Sequence, residues 1–388
     1  MIPPSQTKPF VAIACGGTGG HLFPGLAVAG KLKERGCDVA LLISPKDVDQ
    51  QAVKSASGME IFTLPAVGLQ NHNYFSFAGS FVKSLLAARK IFRRRRPVAV
   101  LAMGGFTSAP PTFVARVLGA KTFLHESNTV PGKANRYLAR FVHEAFTGFP
   151  ETSPRLKAPR VTHTGTPVRP EFCSLNTAER SSAAARLGLD AHRPTVLVMG
   201  GSQGASGLNA MVLSALPLLA GKDWQWLHLT GTKDLDHVTS AYAALGIRAV
   251  VKAFLAEMDL ALGLATVAVS RAGASSLAEI SALRLPALLV PFPAAADNHQ
   301  FFNAQAYANS GAARLLEQRE ASPEKVAAIL TELVEDGPAR LKMGTALELW
   351  HAPNAAETIA SLVLRRAAET AVRPMAGTGI VKPNNIRA

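Results

Sequence analysis

Two stretches of the sequence begin alike, KPFVAIACGGTGGH at residues 8–21 and TVLVMGGSQGA at residues 195–205. Each starts with an unbroken apolar run, which is typical of a strand that is buried on both faces of a sheet. A glycine turn and then apolar residues at helical spacing follow each run. A strand, a glycine turn and a helix in this order begin a doubly wound α/β unit, so the sequence predicts two such units.

Further apolar runs follow both starts at the spacing of alternating strands and helices. The strand candidates are residues 39–43, 98–103 and 121–124, and then 226–229, 249–252, 267–270 and 287–290. The pattern predicts an α/β fold of two Rossmann-like domains, each with a doubly wound parallel sheet, that face a cleft. We expect a first domain over residues 8–169, a second over 170–350, a helix within 351–366 that packs back on the first domain, and a disordered tail at 371–388.

Composition excludes several classes of protein. Of the 388 residues, 48% are hydrophobic and 18% are charged, so the chain is not intrinsically disordered. No apolar run approaches the roughly 18 residues of a membrane-spanning helix, and the N-terminus does not resemble a signal peptide. The three cysteines, Cys15, Cys37 and Cys173, form no C-x-x-C pair, which favours a reducing cytoplasm over a disulfide or zinc scaffold.

The positive charge is confined to the first half of the chain. Residues 1–169 contain 22 Lys and Arg against 8 Asp and Glu, whereas residues 170–388 contain 19 of each. Residues 61–125 contain no carboxylate at all. A one-sided positive field of this kind indicates an anionic partner, which can be a phosphorylated substrate, an acidic lipid surface or a nucleic acid.

The first glycine turn, GGTGGH, is not a dinucleotide fingerprint. Leu22 stands where the third glycine of that fingerprint would be, and the next strand ends at Ser44 without an acidic residue for a ribose. The turn does offer main-chain N–H groups at a helix start, which suit an anion or a sugar. His21 at its end is placed to act as a general base, although a lone histidine is often structural.

Two more helix starts lie in the second half. In GGSQGA, Ser202 adds a hydroxyl that can bind a phosphate oxygen. In SRAGASSLAEI, at residues 270–280, residues 274–277 would present free N–H groups to a diphosphate. Glu279 lies one turn further on, where its carboxylate can accept two hydrogen bonds from a ribose diol, although a Glu on a helix surface is also common.

Two D-x-D triplets allow a metal site as well as a structural interpretation. They are Asp47-Val48-Asp49 and Asp234-Leu235-Asp236. Such a triplet holds a divalent cation in some sugar transferases, but two carboxylates undersupply its ligands. Acidic residues in the first turn of a helix are the simpler interpretation, because the helix dipole favours negative charge there.

The segment at residues 73–97 predicts a long amphipathic helix with a wide apolar stripe beside a basic cluster. Aromatic surface next to basic residues is typical of a protein that binds an anionic membrane surface. The residues of this predicted membrane face are Phe75, Phe77, Phe81, Lys83, Arg93, Arg94, Arg95 and Arg96. A helix packed on the sheet with a solvated basic end explains the pattern too, and the two interpretations are compatible. No recognised nucleic-acid-binding motif accompanies the charge, so we expect no nucleic-acid partner.

Taken as an ordered set, the motifs resemble those of the MurG family of peptidoglycan glycosyltransferases, which add N-acetylglucosamine to lipid I. The resemblance runs from about Phe10 to Ile359 and rests on GGTGGHLFPGLAVA, MGGFTSAP, HESN, GTPVR, GGSQGA, AFLAEM, SRAGASSLAEI and DNHQFFNA. It implies the two-domain GT-B fold, with UDP-N-acetylglucosamine in the second domain and an acceptor that reaches the first domain from the cytoplasmic face of the bacterial inner membrane. It implies a peripheral membrane protein of cell-wall synthesis that needs no cofactor and no metal.

The resemblance also implies roles for individual residues. His21 and Glu126 match positions considered for catalysis on the acceptor. The donor-binding positions that it implies are Thr18, Gly19, Gly20, Asn128, Arg169, Ser202, Leu255, Ala274, Ser275, Ser276, Leu277, Ala278, Glu279 and Gln300. The sequence departs from the family pattern at Phe106, Ala109, Thr166 and His299, which affects the expected shape of the acceptor groove. The implied reaction is inverting transfer to the C4 hydroxyl of the muramoyl sugar, which yields lipid II.

Two other functions fit parts of the sequence. A transferase of the same fold that acts on a neutral lipid or small molecule would share the donor site. A non-catalytic nucleic-acid-binding protein would account for the charge, but not for the glycine turns and Glu279.

Overall fold

The computed structural model describes residues 8–17, 19–46, 50, 58–66, 74–201 and 204–371. The strands are β1 Phe10–Ala14, β2 Asp38–Ile43, β3 Glu60–Thr63, β4 Ala99–Ala102, β5 Lys121–Glu126, β6 Glu144–Thr147, β7 Val161–His163, β8 Thr195–Met199, β9 Gln225–Leu229, β10 Ala249–Lys252, β11 Val267–Ser270, β12 Ala287–Leu289 and β13 Arg314–Leu315. The helices are α1 Gly19–Glu34, α2 Tyr74–Arg94, α3 Ala109–Val117, α4 Lys133–Leu138, α5 Thr177–Leu187, α6 Ser206–Leu219, α7 Leu235–Ala244, α8 Met258–Leu264, α9 Ala274–Ala282, α10 His299–Asn309, α11 Pro323–Glu335, α12 Gly337–Glu348 and α13 Ala355–Ala371.

The strands form two parallel sheets, one in each half of the chain. The first has the order β3-β2-β1-β4-β5-β6-β7, and the second has the order β10-β9-β8-β11-β12-β13. In each sheet the chain first moves outward in one direction and then returns to the centre and moves the other way. This is the doubly wound arrangement, and the predicted fold class is confirmed.

Helices cover both faces of the first sheet because its central strands are apolar on both sides. On one face, α1 and α13 pack against Val11, Ile13 and Leu41. On the other face, Ala88 and Phe92 of α2 pack against Ala14 and Val100. The helix α13 therefore lies on the first domain although it follows the second domain in the sequence.

Every predicted strand is present, but four strands were not predicted. No long apolar run marks β3, β7 and β13, whose residues are mostly half-buried or exposed because they lie at or near the sheet edges. The strand β6 is buried but begins with Glu144, a charged residue that breaks the apolar pattern. Edge position and a buried charge both weaken the sequence signal of a strand.

Glu144 is buried because α13 supplies its partner. Its Oε2 accepts a hydrogen bond from Arg366 Nε at 3.1 Å, and its Oε1 accepts one from Thr162 Oγ1 at 2.8 Å. The Glu144 side chain is 3% exposed and that of Arg366 is 23% exposed. The pair fastens the last helix of the chain to the first sheet.

We expect Arg366→Met to lower the free energy of unfolding several times more than the loss of an exposed ion pair does, because it leaves the buried Glu144 carboxylate without its cation. The matched control is Arg35→Met, which breaks the exposed Arg35–Glu357 pair between α1 and the same helix α13. That change should cost much less, because water solvates both groups of an exposed pair. Urea unfolding followed by circular dichroism measures both, and equal losses would contradict this account of Glu144.

Candidate active site

The four glycine-containing turns lie at the two places where strand order reverses. GGTGGH follows β1 and MGGF follows β4 in the first sheet, while GGSQGA follows β8 and SRAG follows β11 in the second. Ligands of open α/β sheets bind at the carboxyl ends of strands at such points. Contacts between α1 and α9 bring the two places to the same cleft.

The turn after β1 requires glycine. A Cβ on Gly16 would collide with the main chain of Ser44 and Ile43, and Gly17 has a φ of 116°, which side chains rarely allow. Gly16 O accepts a hydrogen bond from Thr107 Oγ1, and Gly17 O accepts one from Lys46 Nζ at 2.9 Å. The turn is thereby held between the ends of β2 and β4.

His21 lies in the first turn of α1 with its ring against the turn that follows β4. A Cβ on Gly104 would lie 2.8 Å from His21 Cε1, and one on Gly105 would lie 3.2 Å from Cδ2. Both glycines have positive φ, 111° and 76°. The imidazole therefore needs these glycines for its position, and it lies at the first-domain side of the cleft.

Glu126, the last residue of β5, has a fully occupied carboxylate. Its Oε1 accepts hydrogen bonds from Asn128 N at 2.9 Å and Asn128 Nδ2 at 3.0 Å. Its Oε2 accepts bonds from Gly132 N at 3.0 Å and Asn135 Nδ2 at 2.7 Å. The side chain is 1% exposed. Glu126 thus organises the loop between β5 and α4.

The neighbouring His125 of the HESN motif holds the linker, which is the segment around Gly165 that follows the last strand of the first sheet. It is buried, and its Nε2 lies 3.1 Å from Gly165 O while its Nδ1 lies 3.2 Å from Ser127 Oγ. Burial lowers the pKa of His125 to about 4, so the ring is neutral at pH 7. The motif joins the end of β5 to the GTPVR segment.

In the second domain, α9 begins at the carboxyl end of β11. Its N-cap residue is Gly273, which has no side chain to cap the helix. The N–H groups of the first turn therefore receive no side-chain cap from this residue. The prediction that Leu277 presents a free N–H group is wrong, because Leu277 N donates to Gly273 O at 3.0 Å. The free donors are limited to Ala274, Ser275 and Ser276, since the helix itself uses the later N–H groups.

Several predicted donor positions can act only through their main chain. The side chains of Leu255, Ala274 and Leu277 belong to the core of the second domain. Ala278 is also buried, at 9% exposure. These residues fix the position of the backbone and present no side chain to a ligand.

Glu279 and Arg169 lie close enough to influence each other's charge. Burial raises the pKa of Glu279 to about 7, and the nearby Arg169 opposes that rise. The Arg169 guanidinium lies 4.6 Å from the ring centre of Phe23 in α1 and 2.9 Å from the Glu171 carboxylate. Within the part of the chain that the structure describes, the buried Arg169 Nε has no hydrogen-bond partner. Arg169 therefore stands where the two domains meet.

Gln300 of α10 is fixed by main-chain donors. Its Oε1 accepts from Ala272 N at 3.2 Å and Phe292 N at 3.0 Å, so its amide nitrogen is the group that can donate to a ligand. Arg271 in SRAG was not predicted to have a role. It is buried and donates to Val290 O at 3.1 Å, which supports the same cleft wall.

Some predicted residues lie outside the described residues, among them Thr18, Ser202, the triplet 47–49 and the tail from 372 onward. Gly19 and Gly20 open α1. Asp234 of the second triplet accepts a hydrogen bond from Asn209 Nδ2 at 2.8 Å. A hydrogen bond from the Ser206 side chain is the main reason why the pKa of Asp234 is lowered. These hydrogen bonds within the protein favour the structural interpretation of the second triplet. Among the residues described, no cluster of three His, Cys, Asp or Glu side chains is arranged for a metal ion.

Three residues of the predicted membrane face, Phe77, Phe81 and Arg95, are half-buried. Arg95 forms ion pairs with Asp38 and Glu60 and lies over the Phe10 ring, so it is bound to the sheet edge. Phe77 and Phe81 are partly buried and pack against each other at 6.2 Å between ring centres. The large apolar residues of α2 that are exposed are Phe75 at 93%, Leu86 at 60% and Val82 at 52%. Their neighbours on the exposed surface of α2 and its end are Lys83, Arg89, Lys90, Arg93, Arg94 and Arg96.

The four departures from the family pattern lie near the cleft or the linker. Phe106 lies beside Gly17 and under Lys46, whose Nζ is 5.6 Å from the ring centre. Ala109 begins α3, and His299 begins α10 with its Nδ1 2.8 Å from Ala296 O. Thr166 is buried against Gly148.

Asn303 of α10 is the main residue that sequence reasoning missed. It is fully buried and connects the domains: its Oδ1 accepts from Thr129 N at 2.9 Å and from Thr129 Oγ1 at 3.0 Å. Its Nδ2 donates to Asn128 Oδ1 at 3.0 Å and to Ala272 O at 3.1 Å. The residue stands in the motif DNHQFFNA, but nothing in the sequence pairs it with residues 174 positions earlier.

Comparisons with known proteins agree with this geometry. The model of the glycosyltransferase family 28 N-terminal domain matches residues 11–147, and that of the family 28 C-terminal domain matches residues 195–359. Two relatives are both named UDP-N-acetylglucosamine--N-acetylmuramyl-(pentapeptide) pyrophosphoryl-undecaprenol N-acetylglucosamine transferase. The one from Xanthomonas euvesicatoria pv. vesicatoria is 38% identical over 97% of this chain and 87% of its own length. The one from Anaeromyxobacter sp. is 36% identical over 96% of this chain and 99% of its own.

Solved structures share the two-domain architecture. A crystal structure of MurG from Acinetobacter baumannii superposes with a TM-score of 0.72 and 26% identity, covering 92% of this chain and all of that one. Phytolacca americana UGT2, solved with UDP-2fluoro-glucose and pterostilbene, gives a TM-score of 0.65 at 16% identity over 94% of this chain and 99% of that one, a likeness of fold alone. The chain belongs to glycosyltransferase family 28 and, within it, to the MurG family of N-acetylglucosamine transferases.

Proposed function

We propose that this enzyme transfers N-acetylglucosamine from UDP-N-acetylglucosamine to the C4 hydroxyl of the muramoyl sugar of lipid I, with inversion at C1, and so forms lipid II. The observation that carries the proposal is the arrangement at the cleft. His21 lies at the switch point of the first domain, and Glu279 and the start of α9 lie at that of the second, with Arg169 near enough to Glu279 to act on its pKa. The names of the full-length relatives supply the substrates.

In this proposal the donor binds to the second domain. The main-chain N–H groups of Ala274, Ser275 and Ser276 receive the diphosphate, because a helix N-terminus favours negative charge. Arg169 contributes a positive charge to the same group, together with its Nε, which has no hydrogen-bond partner among the described residues. Glu279 accepts hydrogen bonds from the ribose hydroxyls, and Gln300 donates its amide to the sugar. The chemistry that these residues supply needs no metal ion to bind the leaving group.

The reaction is a single displacement. The C4 oxygen of the acceptor forms the new bond to C1 of the donor sugar on the face opposite UDP. The bond from C1 to the diphosphate oxygen breaks with both electrons going to UDP, and the hydroxyl proton passes to His21. His21 is the better base than Glu126, because four N–H donors already occupy the Glu126 carboxylate.

A transfer assay with purified enzyme, UDP-N-acetylglucosamine and lipid I tests the proposal. We expect lipid II and UDP in equal amounts, with a β-linkage by NMR. Diacylglycerol in place of lipid I should give no product. Transfer to diacylglycerol but not to lipid I would contradict the acceptor assignment and favour a transferase of the same fold with a neutral acceptor.

The exposed surface of α2 is proposed to bind anionic phospholipid at the cytoplasmic face of the bacterial inner membrane. Phe75, Val82 and Leu86 follow at spacings of seven and four residues and therefore share one side of the helix, with Arg89 and Arg93 beside them. Over the residues that the structure describes, no helix is both long and apolar enough to cross a bilayer. Surface binding through α2 would bring the cleft to a lipid-linked acceptor.

Binding of the full chain to vesicles with anionic lipid should have two separable parts. Each basic residue near the lipid contributes about 1 kcal/mol, which salt screens. Buried apolar surface contributes roughly 25 cal/mol per Å², which salt does not screen. We expect Arg93→Glu/Arg94→Glu to remove mainly the salt-sensitive part and Phe75→Ser/Leu86→Ser mainly the remainder, as measured by vesicle co-sedimentation across salt concentrations.

The matched control is Arg319→Glu/Lys342→Glu, which makes the same change of net charge on exposed residues of the second domain. It should bind vesicles as the unaltered enzyme does. Equal losses in the control and in the Arg93/Arg94 variant would show that net charge, and not the α2 surface, governs binding.

A further inference from the structure

Asn303 makes four hydrogen bonds, three of which cross the gap between the domains. Two of them join the second-domain helix α10 to Thr129, one joins it to Asn128, and one returns to Ala272 in the second domain. The side chain is fully buried, so water cannot replace a lost partner. All the hydrogen-bonding capacity of its amide is used, which fixes the orientation of the amide group.

The bonds continue through the first domain toward His21. Asn128 Nδ2 donates to Glu126 Oε1, and Glu126 Oε2 accepts from Asn135 Nδ2. The Asn135 amide and the His21 ring both lie against Gly104: a Cβ on that glycine would be 2.9 Å from Asn135 Nδ2 and 2.8 Å from His21 Cε1. An unbroken series of contacts thus runs from Ala272 in the donor half to the wall on which His21 rests.

Neither Asn128 nor Asn135 can reverse its amide without loss. A flip of Asn128 would turn its Oδ1 toward the Glu126 carboxylate, and a flip of Asn135 would do the same. Connected hydrogen bonds hold one arrangement more strongly than isolated bonds do, and among the described residues the one buried amide atom of this path without a partner is Asn135 Oδ1. The position of the second domain is therefore transmitted to the Gly104 wall by side chains whose amide nitrogens the Glu126 carboxylate holds in one orientation.

We propose that Asn303 is a positioning residue that acts through His21. It holds the first-domain loop at residues 128–135 against the second domain, and thereby aligns the His21 base with the sugar bound in the second domain. This inference rests on the proposed function, because it requires His21 to be the base. A misplacement of about 1 Å at such a group can lower the rate by roughly 10².

The experiment is a double-mutant cycle measured as kcat on lipid I, with UDP-N-acetylglucosamine binding followed by calorimetry. Asn303→Ala should lower kcat by roughly tenfold to a hundredfold and change the donor dissociation constant by less than about threefold. In enzyme that already carries His21→Ala, the same change should lower kcat by less than about twofold, because the group that Asn303 aligns is gone.

A matched control separates alignment from simple attachment of the domains. Arg136→Met breaks another bond between the domains, the ion pair of Arg136 with Asp297 at 2.9 Å, which is exposed and lies outside the path. It should leave kcat within about twofold. If Asn303→Ala does not fold, Thr129→Val removes one bond of the set while keeping the side-chain shape, and it should show the same dependence on His21 with a smaller effect.

Three results would overturn the inference: equal effects of Asn303→Ala with and without His21, a large loss of donor binding with unchanged kcat, or an equal loss in Arg136→Met. The first result would assign Asn303 to general stability, the second to the donor site, and the third to domain attachment. If the unaltered enzyme fails to transfer to lipid I, the proposed function is wrong. If it transfers and the cycle is additive, only the role of Asn303 is wrong.

Discussion

His21→Ala is expected to lower kcat for transfer to lipid I by a factor on the order of 10² or more, while the dissociation constant of UDP-N-acetylglucosamine changes by less than about twofold. A positioned general base contributes typically 10² to 10⁴ to a rate. His21 rests on Gly104 and Gly105 in the first domain, whereas the proposed donor contacts lie in the second. A change that affects kcat and spares donor binding is the signature of a group that acts in the transition state.

The pH dependence of kcat distinguishes His21 from Glu126. His21→Gln should recover little activity, and either His21 variant should lose the acidic limb of the profile, since that limb reports ionisation of the base. Glu126→Gln should also lower kcat, because an amide nitrogen would then face N–H donors, but it should keep the shape of the profile. A near-normal kcat in His21→Ala, with the acidic limb lost in Glu126→Gln, would make Glu126 the base.

The sequence predicted the parts of the site that depend on local chain geometry. A strand followed by a glycine turn and a helix start is encoded within about fifteen residues, so local pattern alone was enough to place the turns after β1, β8 and β11 at strand ends. The steric need for Gly16 and Gly17 explains why that local pattern is so definite. Parallel sheets then bring such turns together at their carboxyl edges.

What the sequence did not predict depends on contacts between distant segments. Arg95 looked like one basic residue among four, yet Asp38 and Glu60 on neighbouring strands bind it. Asn303 received no role from the sequence, because its partners Thr129 and Asn128 belong to the other domain. Spacing along one helix or strand carries no information about such pairs.

The donor affinity should depend on the ionisation of Glu279. In the free enzyme, burial raises the pKa of this carboxyl to about 7, so near pH 7 about half of the molecules carry a proton there. A ribose diol donates two hydrogen bonds only to the ionised form. Below pH 7 the enzyme must therefore release a proton on binding UDP-N-acetylglucosamine, and its affinity falls as pH decreases; above pH 8 the carboxylate is already ionised and the affinity levels off.

Calorimetry at several pH values, in buffers with different ionisation enthalpies, measures both the affinity and the proton release. Between pH 8 and pH 6 the dissociation constant should rise by up to about tenfold, which is the change in the ionised fraction of a group with a pKa near 7. Glu279→Gln should bind the donor at least about tenfold more weakly at pH 8, because hydrogen bonds to a charged acceptor contribute roughly 1.5–3 kcal/mol each. The variant should also lose the proton release, so that the two enzymes become more alike as pH falls. Binding by Glu279→Gln that equals the unaltered enzyme at pH 8, or that keeps the same pH dependence, would remove Glu279 from the ribose site and assign the titration to another group at the cleft.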